Sequence, residues 1–210
     1  MKSHDLRNDP LFLRNQQFMV GTFDMPFVYS QEVELDNLSL IGFNNIKSCE
    51  QGTNRDKTVH FFLDDHKFDE VWNKPEQELE RLAQYFQLLS PDFSVYADMP
   101  KPLQMYNTFR SRWCASYWQF NKLLVIPTVS WGSEDTYDFC FDGIEAGCVV
   151  AVSTIGAGDS QREFLAGFKQ MCEAIRPNAV LNYGTLLDGM GDYAKIVTVP
   201  YRHGSNRNDS

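Results

Sequence analysis

The chain has 210 residues, 43% hydrophobic and 14% aromatic, which suits one domain with a real core and excludes a disordered chain. Its formal net charge of -9 argues against a general electrostatic grip on nucleic acid, which needs a basic footprint, and reads first as solubility. Five scattered cysteines without a CxxC pair fit buried thiols in a reducing cytoplasm, and no apolar run approaches the ~18 residues of a membrane span, so a cytoplasmic protein is expected.

Residues 1–57 read as an N-terminal extension packed on the main domain. They hold a turn or helix start at Asp9-Pro10, short strand-like pieces at Met25–Tyr29 and Leu38–Phe43, and a polar loop at Ser48–Lys57. Regular alternation begins at Thr58. Thr58–Leu63 is a strand ending in Asp64-Asp65, and Pro75–Leu89 carries Leu79, Leu82, Phe86 and Leu89 on one helical face. Phe93–Ala97 is expected as a strand ending in Asp98, followed by a helix over Pro102–Phe120. Next come a strand over Leu123–Val129, a short helix over Tyr137–Glu145 and a strand over Cys148–Ser153. A helix over Ser160–Ile175 and strands at Ala179–Tyr183 and Ile196–Pro200 complete the pattern, and residues 201–210 form a flexible tail.

This alternation over residues 58–200 defines an α/β domain with a mostly parallel sheet of five or six strands and flanking helices, either an open sheet or a partial TIM-like barrel. In either form the carboxyl ends of the strands share one rim, where such folds keep their ligand crevice. The rim is organised by Leu123–Gly158, in which two apolar runs break off into Ser130-Trp131-Gly132 and Ser153-Thr154-Ile155-Gly156.

Several stretches are distinctive together: Asp92-Phe93-Ser94, Met99-Pro100, Asn107-x-x-Arg110-x-Arg112, Val125-Ile126-Pro127-Thr128 with Trp131, Phe139-Cys140-Phe141-Asp142-Gly143-Ile144, Val152-Ser153-Thr154-x-Gly156 and Tyr183-Gly184. In these residues the chain resembles domain-of-unknown-function family 4417, found in bacteria, phages and plasmids. The resemblance implies a mobile-element protein. It implies no reaction and no catalytic residue.

The candidate catalytic groups at the expected rim are Asp64, Asp98 and Asp142, as acid–base carboxylates or as ligands of Mg²⁺ held together with substrate phosphate oxygens. Candidate ligand-binding residues are Ser130, Trp131, Ser153, Thr154, Gly156, Tyr183 and Arg110. Trp131 could stack on a base, and the Ser153–Gly158 turn before a helix could present amides to a phosphate, although it lacks the lysine of a P-loop. Aspartates that merely cap helices and a glycine-rich turn that merely connects elements account for the same residues without any ligand. Two functions fit: an enzyme or binder acting on a nucleotide, base or nucleic-acid end, or a non-catalytic phage or plasmid factor that modulates a host replication or defence protein.

Overall fold

In the computed structural model the structure describes residues 11, 14, 17–50 and 52–201. The turn expected at Asp9-Pro10 and the tail beyond Tyr201 lie outside them. A small antiparallel hairpin of β1 (Met19–Val20) and β2 (Met25–Pro26) comes first. Four parallel strands then lie side by side: β3 (Leu40–Gly42), β4 (Thr58–His60), β5 (Gln87–Leu89) and β6 (Val125–Ile126). Three more follow in the same way: β7 (Val149–Ser153), β8 (Ala179–Tyr183) and β9 (Ile196–Val199). A parallel bridge between Thr128 and Ala151 joins the two sets, with Val129 N donating to Ala151 O and Ala151 N to Pro127 O, both at 2.8 Å.

The strands are therefore neighbours in chain order from β3 to β9, with no reversal of order. A sheet wound in one sense puts its helices on one face and tends to roll. The rolling can be measured. His60 on β4 and Tyr183 on β8 are four strand spacings apart, which is about 19 Å across a flat sheet. Their ring centroids lie 4.9 Å apart.

Register assigns the two faces. Val59, Leu88 and Val125 face outward into a cluster with Trp113 and Trp118, while Val150, Val152 and Val180 face outward into one with Phe168 and Met171. The first cluster is covered by α1 (Glu70–Asn73), α2 (Pro75–Leu82) and α3 (Lys101–Phe120); the second by α4 (Tyr137–Cys140) and α5 (Gln161–Ile175). The inner face is a separate small cluster of Leu89, Ile126, Ala151 and Leu181. The segment 33–38 closes its amino end. Val33, Leu35 and Leu38 pack on that cluster, and the Gln87 side chain bonds the Glu34 main chain in both directions, at 3.2 and 2.8 Å. The carboxyl mouth is left as the other end.

Three expected elements are corrected. The helix over Pro75–Leu89 stops at Leu82, and Gln87–Leu89 is β5, held between β4 and β6. A short apolar run satisfies either period, and pairing on both sides decides for the strand. Phe93–Ala97, expected as a strand, is the irregular connection to α3, with Phe93 buried. The short helix expected to run to Glu145 ends at Cys140, because Gly143 turns the chain at φ 78° against Met25 and Pro26, where a Cβ would meet Pro26 O at 2.9 Å.

A candidate acid–base site at the carboxyl mouth

Moving β5 back to Gln87–Leu89 changes which residues stand on the rim. The loop after β5 is Ser90–Ser94, so its acid is Asp92. This side chain is partly buried. Burial, with the charge of Asp65 adding to it, pushes its carboxyl up to about 7, while a hydrogen bond from the Ser130 hydroxyl pulls the other way. The carboxyl thus exchanges its proton near neutrality, the property a general acid or base needs.

Asp65, on the loop after β4, is held in place by its neighbours. It accepts hydrogen bonds from Ser94 Oγ at 2.7 Å and from the Ser94 amide at 3.2 Å. Asn107 Nδ2 fixes the Ser94 carbonyl at 2.6 Å. Arg110 reaches across from α3, its Nη2 4.0 Å from Asp65, its Nη1 3.4 Å from Asp69 and its Nη2 2.7 Å from Asn107 Oδ1. Its guanidinium lies over the Phe93 ring at 3.8 Å. Asp92-Phe93-Ser94 and Asn107-x-x-Arg110 thus converge in one assembly: Asp92 feels the charge of Asp65, Arg110 covers the buried Phe93 ring, and Ser94, Asn107 and Arg110 orient Asp65.

The other half of the mouth is polar but internally bonded. Ser153 Oγ bonds Tyr183 O at 3.3 Å, Thr154 N bonds the same carbonyl at 3.1 Å, and Thr154 Oγ1 bonds Thr185 O at 2.7 Å. Gly156 turns the chain at φ 86° with open space around it. Tyr183 packs on Phe62 and His60, with centroids at 5.0 and 4.9 Å.

The structure brings Arg110 and Ser130 into the Asp65–Asp92 assembly and gathers Ser153, Thr154, Gly156 and Tyr183 at the ends of β7 and β8. It does not bring Asp64, Asp98 and Asp142 together. Asp64 is 68% exposed and paired with Lys67 at 2.8 Å, which lowers its carboxyl pKa. Asp98 stands in the exposed turn before α3. Asp142 lies in the turn after α4, where its carboxylate accepts Gly143 N at 2.8 Å beside Gly21. Trp131 turns away from solvent to pack on Phe141 and Phe164, so close beneath α5 that a Cβ on Gly167 would overlap its indole.

Among the described residues no three His, Cys, Asp or Glu side chains gather in a way that could hold a metal ion. A depression of about 650 Å³ bordered by Ile46, Cys49, Gln77 and Arg81 lies outside the mouth. The guanidinium of its arginine is engaged by Glu78 and by the carbonyls of Phe43 and Ile46, so that depression offers little chemistry.

Sequence reasoning passed over Asp92 as a site residue because the strand was expected to begin at Phe93 and in fact begins at Gln87. Its signal was nevertheless present, in the Ser90-Pro91-Asp92 break after an apolar run.

These features define a sequentially wound parallel α/β roll with titratable groups at its carboxyl mouth. The chain belongs to the family described as domain of unknown function DUF4417, whose model matches residues 18–200. It is 38% identical over 181 residues to the Gene 1 protein of Mycobacterium phage L5, covering 81% of this chain and 79% of that protein. The Gene 1 protein of Mycobacterium phage D29 is also 38% identical over 181 residues, covering 81% and 67%. These relatives are phage proteins, as the resemblance implied. No solved structure matches the chain significantly. No helix among the described residues is long and apolar enough to cross a membrane.

Proposed function

We propose that this phage-related protein is an enzyme that binds a nucleotide, free base or nucleic-acid end at its carboxyl mouth and uses Asp92 as the proton donor and acceptor. The observation that carries this reading is the Asp92 carboxyl, raised to about 7 by burial beside Asp65, with Ser130 donating to it. A carboxyl raised by burial and by a neighbouring carboxylate is the pattern of a general acid or base. Arg110 serves as the positioning residue, holding Asp65 in place through its contact and that of Asn107. The aromatic rings around the mouth favour a planar ligand over a purely aliphatic one.

The test is turnover of the purified protein against a panel of nucleoside mono- and triphosphates, free bases and short oligonucleotides, with and without Mg²⁺. Asp92→Asn is expected to lower kcat by 100-fold or more, with its melting temperature kept or raised. Unchanged turnover in a folded Asp92→Asn protein would overturn the assignment. Asp64→Asn, Asp98→Asn and Asp142→Asn run beside it: loss of turnover in one of those and not in Asp92→Asn would move the acid–base role to that residue.

A second reading, that the protein is a non-catalytic factor meeting a host protein, has one observation in its favour. Phe18, Phe27 and Tyr29 form an edge-to-face series beside the hairpin, with Phe18 63% and Tyr29 50% exposed. It predicts that substitutions at the mouth leave the biological effect intact while Phe18→Ser or Tyr29→Ser removes it.

A further inference from the structure

The inner wall of the roll holds a feature that the acid–base reading does not use. Four rings run from the mouth inward. Tyr201, 45% exposed, stands edge-on to Tyr183 at 5.9 Å; Tyr183 and Phe62 are near parallel at 5.0 Å; and Tyr183 tilts over His60 at 4.9 Å. His60 is only 7% exposed, and its Nδ1 is buried with no hydrogen-bond partner. His60 and Tyr183 sit on inward-facing register positions and Phe62 packs on the same inner cluster, above an interior otherwise lined by Leu89, Ile126, Ala151 and Leu181.

A phenylalanine would fill the His60 position without leaving a polar atom unpaired. Buried polar side chains nearly always find a partner, and leaving one without is destabilising. Burial keeps the imidazole neutral by pushing it down to about 4, so the ring presents one N–H and one lone pair at physiological pH. A neutral imidazole beside stacked rings matches a flat ligand with donors and acceptors on its edge. It is a poor match for a phosphate, which calls for positive charge.

We infer that this ring cluster is the subsite for the heteroaromatic base of the ligand, with Tyr183 and Phe62 as its stacking wall and His60 Nδ1 bonding the edge of the base. The inference rests on the acid–base reading of the same mouth, and it names the part of the ligand that the mouth holds. Tyr201, at the outer end of the series, is the ring that an entering base displaces.

The experiment is a thermal-shift and calorimetric titration of the full chain with adenine, guanine, cytosine, uracil and their nucleoside monophosphates, and with ribose 5-phosphate as the probe that lacks a base. His60→Phe is compared with the wild type, because it keeps the ring packing and removes the nitrogens. The expected result is binding of at least one base-bearing probe by the wild type and none of ribose 5-phosphate. His60→Phe should melt no lower than the wild type and bind that probe at least tenfold more weakly. If His60→Phe binds it as tightly as the wild type, or if ribose 5-phosphate binds equally well, the base subsite is wrong while the acid–base mouth stands. If no probe binds the wild type, the base subsite and the nucleotide reading fail together. Should His60→Phe prove unstable, Tyr183→Leu and Phe62→Leu probe the wall by the same tenfold criterion, and undiminished binding in both overturns the inference.

Discussion

Arg112 and the mouth are both sites of buried polarity, but they are organised in opposite ways. Arg112 is 1% exposed on α3, and each arm of its guanidinium donates to a carbonyl: Nε to Asp142 at 3.1 Å, Nη1 to Thr128 at 3.0 Å and Nη2 to Cys140 at 2.7 Å. These bonds tie the central helix to the strand after β6 and to the Phe-Cys-Phe-Asp-Gly-Ile turn. The mouth keeps His60 Nδ1 without a partner and Asp92 near neutrality. On the proposed reading the difference separates scaffold from site: Arg112, with each arm bonded, holds the fold, and His60 and Asp92 are the groups offered to a ligand.

The sharpest way to break this comparison is Arg112→Ala. It leaves three buried carbonyls unpaired and removes the pin between α3 and the turn, so a loss of about 3–5 kcal/mol is expected, read from the midpoint of urea unfolding. Arg112→Lys should recover only part, since a point ammonium does not reproduce the planar fork.

Next in size is the pH dependence of Asp92→Asn. A carboxyl raised in the folded state binds its proton more tightly there than in the unfolded chain. Asp92 therefore contributes instability that is absent below its unfolded value near 4 and grows as pH rises to about 7. Relative to the wild type, Asp92→Asn should gain stability from pH 4 to pH 8, by up to about 4 kcal/mol, as read by denaturation at each pH. His60 has the opposite sign. Its lowered value makes the wild type lose stability as pH falls from 6.5 to about 4, so the two slopes oppose one another and Asp92→Asn unmasks the second. A variant whose difference from the wild type is flat across this range would show that Asp92 is an ordinary surface acid.

The smallest effect is expected at Asp64→Asn. The side chain is 68% exposed and bonded only locally to Lys67, so neither the unfolding midpoint nor the response to the ligand panel should change measurably. A clear loss of turnover would extend the site outward to the exposed edge of the rim.

Much of the scaffold is legible in the linear order of residues. Ala179–Tyr183 is apolar throughout apart from Asn182 and emerges as the fully buried β8, because a parallel strand covered on both faces has no polar side to show. The apolar positions of α5, from Phe164 to Ile175, repeat at helical spacing and point into the core as that spacing requires. Strand–helix alternation from Thr58 onward established a parallel α/β protein, and the motif residues marked the family. Four things were left to tertiary structure. Whether Gln87–Leu89 extends a helix or forms a strand depends on β4 and β6, which flank it from 29 or more residues away in the chain. That choice moved the rim acid from Asp98 to Asp92. Trp131 became part of the core because Gly167 leaves room for it under α5. Arg110 and Arg112 are two residues apart and differ in role because their positions on α3 face different elements, one toward carboxylates and rings, the other toward carbonyls. Local periodicity records which face of a segment is buried. It carries no information about which distant segment lies against that face, and a site assembled from the ends of several strands is made of such distant contacts.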